Sequence, residues 1–196
     1  LYSTPGVYSV TVNVTTLSNC GLGITYQDTI VVESVDASFN ALPVVACVNQ
    51  DISFQALEND ISYIYTWNFG DANPAISGHS PYINYSYENG GYYDVHLKVE
   101  NGRGCEDELL LEGFIKIEQA FANFSLTEDH FSCYPATPII IQNSSVLPAD
   151  TELYYQWILG SDNDTITVEE PTYVYTVPGN FDIVLNLSTP AGCTDT

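Results

Sequence analysis

The sequence predicts an all-β protein built of antiparallel sandwiches, and three observations support this fold class. Tyr, Val, Ile, Thr and Phe are abundant and occur in short runs that alternate with polar residues. Gly, Pro, Asn and Asp separate these runs, as residues of tight turns do. No apolar pattern of helical period continues over about 11 residues or more. An apolar share of 45% in 196 residues provides enough side chains for packed cores.

One strand with a cysteine after its end occurs three times. It begins at Tyr8, Tyr93 and Phe181, which lie 85 and then 88 residues apart. Aliphatic side chains follow at every second position, which is typical of a strand with one face on a core. The cysteines that follow these strands keep the same spacing and are Cys20, Cys105 and Cys193.

Two further blocks recur between these strands. "CVNQDISF" begins at Cys47 and "CYPATPII" begins at Cys133, and each predicts a turn followed by a strand. "YTWNFGD" contains Trp67 and "YQWILGS" contains Trp157, and each predicts a strand that ends in a turn. Each repeat therefore has an opening strand, a cysteine, a second strand, a Trp strand, an acidic stretch and the long strand. About seven short strands in a repeat of this length suit an antiparallel sandwich.

The Trp block and the long strand of the middle repeat together carry a family resemblance. "YTWNFGD" followed by "YSYENGGYYDVHLKVENGRGC" resembles the polycystic-kidney-disease (PKD) domain, with its Trp-x-Phe-Gly-Asp stretch and Gly-x-Tyr-x-Val-x-Leu-x-Val strand. The resemblance implies tandem immunoglobulin-like (PKD-type) sandwiches. Because no Gly/Ser-rich or Pro-rich spacer separates the repeats, we expect an extended rod.

The same resemblance divides the chain. We expect the C-terminal part of one repeat at residues 1–34, a complete repeat at 35–118, and a repeat that lacks its last strand at 119–196. Neither incomplete repeat is expected to close a core alone. Because the chain opens on Leu1 and contains no Met, we expect it to be a piece of a longer polypeptide.

Five cysteines, mostly at repeated positions, indicate an oxidising compartment, with buried reduced thiols as the alternative. In the topology that the resemblance implies, Cys47 and Cys105 lie at opposite poles of one sandwich. A seven-residue strand spans roughly 23 Å, whereas the Cα atoms of a disulfide lie within about 7 Å. We therefore prefer an interdomain bond between Cys47 and Cys193, and we expect Cys20, Cys105 and Cys133 to pair outside this segment. Bonds within the repeats, Cys47–Cys105 and Cys133–Cys193, are the alternative.

The charge of the chain excludes several classes of partner. The 25 Asp and Glu against 3 Lys and Arg give a formal net charge of −22. Such a surface repels nucleic acid and anionic lipid, so we expect neither as a partner. No run approaches the roughly 18 to 20 apolar residues of a membrane helix, so we expect no membrane insertion in this segment. We interpret the acidity mainly as a solubilising surface, with attraction of divalent cations as the alternative.

No set of catalytic side chains emerges, so we expect no enzyme activity. The three His residues have no counterparts in the other repeats, and no Ser or Cys lies in a nucleophile elbow. The cysteines are too widely spaced for a zinc site. Trp67 and Trp157 could stack on carbohydrate, but their strand positions favour core packing.

Two further predictions concern a calcium-binding site and O-glycosylation sites. Acidic turns without EF-hand spacing could chelate calcium, and otherwise we expect no cofactor. The candidate ligands are Asp60, Asp71, Asp162 and Asp164. The tripeptide "DTI" at Thr29 and at Thr165 resembles an O-glycosylation acceptor pattern of the Bacteroidota, the bacterial group whose secreted surface proteins the cysteine-bearing repeats resemble.

The resemblance implies a structural role outside the cell or at its surface. We expect a stalk or filament segment of a large secreted or cell-surface repeat protein, an adhesin of surface attachment or gliding motility. The expected partners are neighbouring repeats of the same chain, other cell-surface or secretion-machinery proteins, and surface polysaccharide. The alternative is an accessory carbohydrate- or protein-binding module of a secreted hydrolase.

Overall fold

The structure is a computed structural model, and every regular element in it is a β-strand. It describes residues 2–15, 21–126, 138–146, 152–160 and 164–196, with the backbone alone at 13–15, 21–29 and 164. The predicted all-β class and its sandwich architecture are confirmed. No helix in the described ranges has the length and apolar character to cross a membrane. We call residues 1–34, 35–118 and 119–196 the first, middle and third segments.

The first segment is an antiparallel hairpin of β1 (Gly6–Thr15) and β2 (Gly21–Val32). Gly6 lies opposite Val32, and the register shifts between Tyr8 and Val10. The alternation in the sequence predicts that Val12 faces a core, but this side chain is 47% exposed. The described side chains of this hairpin belong to neither core described below.

The middle segment is a complete two-sheet sandwich. One sheet has the order β3–β5–β8 and the other the order β4–β10–β9–β6–β7. Neighbouring strands are antiparallel except β4, which runs parallel to β10. The strands are β3 (Phe39–Leu42), β4 (Val45–Cys47), β5 (Ile52–Ala56), β6 (Ile64–Asn68), β7 (Ile76–Gly78), β8 (Tyr82–Tyr85), β9 (Gly91–Glu100) and β10 (Glu106–Glu118).

The core of the middle segment lies between these two sheets. Val95, Leu97 and Val99 on β9 are fully buried, which confirms the period-two pattern of the long strand. They pack with Trp67 on β6 and Phe54 on β5. Burial of each such side chain contributes about 1.5 to 3 kcal/mol to stability, so this cluster is a main stabilising feature of the segment.

The third segment also buries a core, so the expectation that it could not close one is wrong. Its sheets have the orders β11–β12–β15 and β14–β13–β16–β17. Trp157, Leu185 and Leu187 of one sheet pack against Ile141 of the other, and all four side chains are buried. The strands are β11 (Phe124–Leu126), β12 (Ile139–Asn143), β13 (Tyr154–Leu159), β14 (Asp164–Ile166), β15 (Thr172–Tyr173), β16 (Ile183–Ser188) and β17 (Thr194–Asp195).

Candidate functional site: the joints between segments

A disulfide joins the middle and third segments. Cys47 is bonded to Cys193 although 146 residues separate them along the chain, and their Cα atoms lie 5.4 Å apart. This is the interdomain pair preferred from the sequence, and it excludes the alternative bonds of these cysteines within their own segments. Cys105 is a free, half-buried thiol. Cys20 and Cys133 lie outside the described residues.

The strand β4 holds Cys47 at the edge of the large sheet. β4 pairs in parallel with the end of β10, so that Cys47 lies beside Glu118. The side-chain oxygen of Gln50 accepts a hydrogen bond from the Cys47 N–H at 3.0 Å, and the Gln50 N–H donates to the Cys47 carbonyl at 3.1 Å. The sequence predicted a turn here, and the structure places Cys47 where a short strand ends and that turn begins.

A tight turn at residues 189–193 presents Cys193 to Cys47. The Thr189 N–H donates to the Cys193 carbonyl at 2.9 Å, and the Gly192 N–H donates to the Thr189 carbonyl at 2.9 Å. The hydroxyl of Thr189 accepts from the Cys193 N–H at 3.2 Å. Thr189 and Cys193 are both buried. These hydrogen bonds therefore hold Cys193 in position independently of the disulfide.

A buried carboxylate of the middle segment binds the same turn. Glu118 is only 2% exposed. One of its oxygens lies 3.0 Å from Nζ of Lys116, and the other accepts from the Ala191 N–H at 3.2 Å. Burial raises the pKa of Glu118, but hydrogen bonds from Thr189, Lys116 and Ala191 outweigh it and hold the pKa below its ordinary value. Glu118 thus remains ionised and attaches the turn of the third segment next to the disulfide.

The joint between the first and middle segments has a similar carboxylate. Glu33 accepts a hydrogen bond from Nδ2 of Asn101 at 2.9 Å and forms an ion pair with Arg103. Asn101 is 4% exposed and begins the turn that ends at Cys105. Glu33 therefore attaches the middle segment to the first, as Glu118 attaches the third segment to the middle. These carboxylates were missed from the sequence because any one acid is inconspicuous among 25.

The middle segment also has an open polar pocket of about 480 Å³. Its central group is Asp71, whose carboxylate accepts hydrogen bonds from the Tyr85 hydroxyl at 2.6 Å and from Nδ2 of Asn73 at 2.8 Å. Burial raises the pKa of Asp71, but these hydrogen bonds outweigh it and hold the pKa below its ordinary value. The lining residues are Asn49, Asp51, Asp71, Asn73, Asn84, Tyr85, Ser86, Glu88, Asn89 and Tyr93.

Two of the predicted calcium ligands, Asp60 and Asp71, have described side chains. No group of three or more His, Cys, Asp or Glu side chains that could hold a metal occurs among the described residues. The carboxylate of Asp60 instead accepts hydrogen bonds from the N–H and the hydroxyl of Ser62. Asp162 and the side chain of Asp164 lie outside the described residues. Of the two sugar acceptors, Thr165 is exposed on β14, and the side chain of Thr29 is not described.

Comparison with known families identifies the middle of the chain. Residues 36–108 match the family model described as the PKD domain. This similarity lies within the middle segment and covers less than half of the chain. Human Polycystin-1 is 25% identical over 201 residues, and the match covers 97% of this chain but only 4% of that protein. A second similarity is to a solved structure from work on the promiscuous specificity of carbohydrate-binding modules of the β-sandwich superfamily. The match covers 81% of this chain and 86% of that chain. It has a TM-score of 0.39 and 15% identity.

The tryptophan of the middle segment belongs to the core and is not available to stack on a sugar. Trp67 is 2% exposed and packs edge-on against Phe39 and parallel to Phe69. Trp157 of the third segment is fully buried, and its indole N–H donates to the Val168 carbonyl at 2.9 Å. The core interpretation of both tryptophans is confirmed, and stacking of either ring on carbohydrate is excluded.

Proposed function

We propose that this chain is a non-enzymatic stalk segment of a secreted or cell-surface repeat protein, an adhesin of surface attachment or gliding motility. In this proposal its tandem PKD-like repeats are coupled end to end into a rod. The observation that carries it is the Cys47–Cys193 bond, which connects two separately packed cores. A binding module that acts alone has no need of such a bond.

The bond changes how tension would travel through the chain. A load applied at the two ends reaches Cys47, crosses to Cys193 and bypasses the 146-residue interval between them. Most of both sandwiches lies in that interval and would carry little of the load. A covalent path of this kind suits a stalk that must stay folded under tension, and the net charge of −22 would keep neighbouring stalks apart.

Two observations support a location outside the cell. Disulfides persist in oxidising compartments and are rare in the cytosol. PKD domains are typically extracellular, and such a domain occupies residues 36–108. Because the chain matches only 4% of Polycystin-1, we carry none of that protein's activities to this one.

Single-molecule pulling on the two ends of the chain tests the proposal. In the oxidised protein, the bond prevents the 146-residue interval from extending. The fully extended chain should therefore be shorter than the reduced one by roughly 500 Å at ~3.5 Å per residue. A Cys105→Ser variant should behave as the parent chain does. Release of the full length without reductant would show that the bond does not carry the load, and the stalk role would then be rejected.

The polar pocket around Asp71 favours a second candidate, an accessory module that binds carbohydrate. Carboxylates and side-chain amides are suitable partners for sugar hydroxyls, and Tyr85 and Tyr93 line the same pocket. A glycan screen followed by Tyr93→Ala tests it, with Tyr154→Ala on the third segment as the matched control. Millimolar or tighter binding that only Tyr93→Ala abolishes would favour this candidate over the stalk.

A further inference from the structure

We propose that the outer edge of β2 at residues 31–33, together with the thiol of Cys105, is a docking site for a short strand that ends in a cysteine. The occupant is a counterpart of Val45–Cys47 from another part of the same polypeptide, added in parallel to β2 as β4 is added to β10, and bonded to Cys105. This inference rests on the proposed function, because it requires that repeats be joined end to end.

The turn that carries Cys105 has the geometry of the turn that carries Cys193. The Asn101 N–H donates to the Cys105 carbonyl at 2.9 Å, and the Gly104 N–H donates to the Asn101 carbonyl at 3.1 Å. The Cys105 N–H donates to the side chain of Asn101 at 2.9 Å, as that of Cys193 donates to Thr189. Gly104 and Gly192 have φ angles of 83° and 85°. One of two matching turns is bonded, and the other presents a free thiol.

The carboxylates beside the two turns also correspond. Glu33 and Glu118 are 85 residues apart. Each comes directly after the last residue that an antiparallel strand pair joins, and the two pairs have the same register. Val32 lies opposite Gly6, as Ile117 lies opposite Gly91. Each carboxylate binds the turn of the segment that follows it. The first joint therefore has the same kind of contact between a carboxylate and a turn as the second joint.

The two joints differ at the strand edge. β10 has β9 on one side and β4 on the other, with Lys116, Ile117 and Glu118 paired to β4. β2 has β1 on one side, and no strand in the described part of the chain pairs with its other edge. Val31, the counterpart of Lys116, is 51% exposed there. An open edge accepts an added strand through backbone hydrogen bonds.

The pairing at β4 defines the chemistry of the occupant. It is an extended segment with an apolar residue, a small residue and a cysteine, such as Val45, Ala46 and Cys47. A second copy of this chain does not fit, because its Cys47 is already bonded to Cys193. Bond formation removes two protons and two electrons from the two thiols. A thiol–disulfide oxidant accepts them and leaves as a dithiol.

Capture of a peptide tests the site in the full chain. In a C20S/C133S background, Cys105 is the one thiol outside the Cys47–Cys193 bond. The probe is the nonapeptide LPVVACVNQ, the sequence of residues 42–50, with its cysteine activated as a 2-pyridyl disulfide. The Cys105 thiolate attacks the peptide sulfur and releases 2-thiopyridone, whose absorbance gives the rate. The control peptide has the same composition with the other residues scrambled around the cysteine.

We expect the native-sequence peptide to react about tenfold faster than the scrambled one, because docking raises the local concentration of its sulfur. Glu33→Ala should lower the rate for the native peptide and leave that for the scrambled peptide unchanged, and Glu33→Gln should restore part of it. Cys105→Ser should abolish capture.

Equal rates for the two peptides overturn the inference. A covalent dimer formed by the chain alone, seen in a non-reducing gel and absent in C105S, would overturn it in favour of a second copy. The outcome of the pulling experiment does not depend on Cys105, since it reports the Cys47–Cys193 bond. Failure of this site and failure of the stalk role are therefore distinguishable.

Discussion

At the scale of single residues, the joint between the middle and third segments contains a few buried polar groups that bind one another. Glu118 is nearly inaccessible to water and yet ionised, because Thr189, Lys116 and Ala191 donate to it. A buried carboxylate of this kind is costly unless every partner is in place, so it favours one arrangement of the two segments over others.

Loss of this carboxylate should have a definite pH dependence. The pKa of folded Glu118 lies below its ordinary value of 4.5, so its contribution is fully present above that pH and is lost as pH falls through the lower folded pKa. We expect Glu118→Gln to lower the unfolding free energy of the third segment by about 1.5 to 3 kcal/mol at pH 7. The difference from the parent chain should shrink below pH 4.5.

Urea unfolding followed by NMR signals of the third segment measures the difference at each pH. The matched control is Glu112→Gln, because Glu112 is exposed on the same strand β10. A loss of stability in Glu118→Gln that is equally large at pH 3 and pH 7 would contradict the role of the ionised carboxylate.

The two core tryptophans should respond differently to replacement by Phe. The indole N–H of Trp157 donates to the Val168 carbonyl, whereas that of Trp67 is buried without a hydrogen-bond partner. Trp157→Phe removes a hydrogen bond, and Trp67→Phe removes an unsatisfied donor. The loss of unfolding free energy should therefore be about 1 kcal/mol larger for Trp157→Phe, measured on the segment that carries each change. A larger loss at Trp67 would contradict this account.

At the scale of strands and turns, the sequence predicted strands whose apolar residues recur at every second position. It missed a short strand that has no such repeat. The alternation of Val95, Leu97 and Val99 is visible because a strand on a core must repeat every second residue. The strand β4 is only three residues long and has no period to detect, and its parallel partner β10 lies about 70 residues further on. The Cys47–Cys193 pair could be anticipated because the immunoglobulin-like topology fixes which poles meet.

The repeat in the sequence contains a signal for the carboxylates. Glu33 and Glu118 have the same spacing as the first two cysteines of the long strands, so a position-by-position comparison of the repeats would have singled them out. Which backbone groups they bind could not be predicted, because this depends on how two sandwiches meet and not on either sequence alone.

The turn after the Trp strand provides a test at this scale. Gly70 has a φ of 73°, and a Cβ there would lie 2.5 Å from the backbone oxygen of Asp94. Gly160, its counterpart after Trp157, also has a positive φ, but a Cβ there would meet only side chains, the nearest being that of Tyr175 at 3.5 Å. Gly70→Ala should therefore cost about 2 kcal/mol or more, and Gly160→Ala about 1 kcal/mol.

Thermal unfolding of the two variants measures this difference. Gly78→Ala is the control, because its Cβ would meet nothing within 4 Å. An equal loss of stability in Gly70→Ala and Gly78→Ala would show that the backbone of Asp94 moves away at little cost.

At the scale of the whole molecule, the joint between the middle and third segments combines two restraints that fail under different conditions. Reduction opens the disulfide, and acid neutralises Glu118, but neither treatment breaks the other contact directly. Two such restraints on one turn should act cooperatively, because each holds the turn where the other can form. The orientation of the segments is then lost only when both are removed.

Residual dipolar couplings of the middle and third segments test this cooperation. In the oxidised parent chain, one alignment tensor should fit both segments. Either Glu118→Gln or the C47S/C193S pair of substitutions should leave the two tensors close, since one restraint still holds the turn at residues 189–193. All three substitutions together should give two tensors that differ in magnitude and orientation, because the segments then reorient independently.

Two different tensors in the oxidised parent would show that the joint is flexible and that the rod cannot be stiff. A single tensor in the triple variant would instead show that apolar contact between the sandwiches is sufficient, and the buried carboxylate would then serve the fold of the third segment and not its orientation.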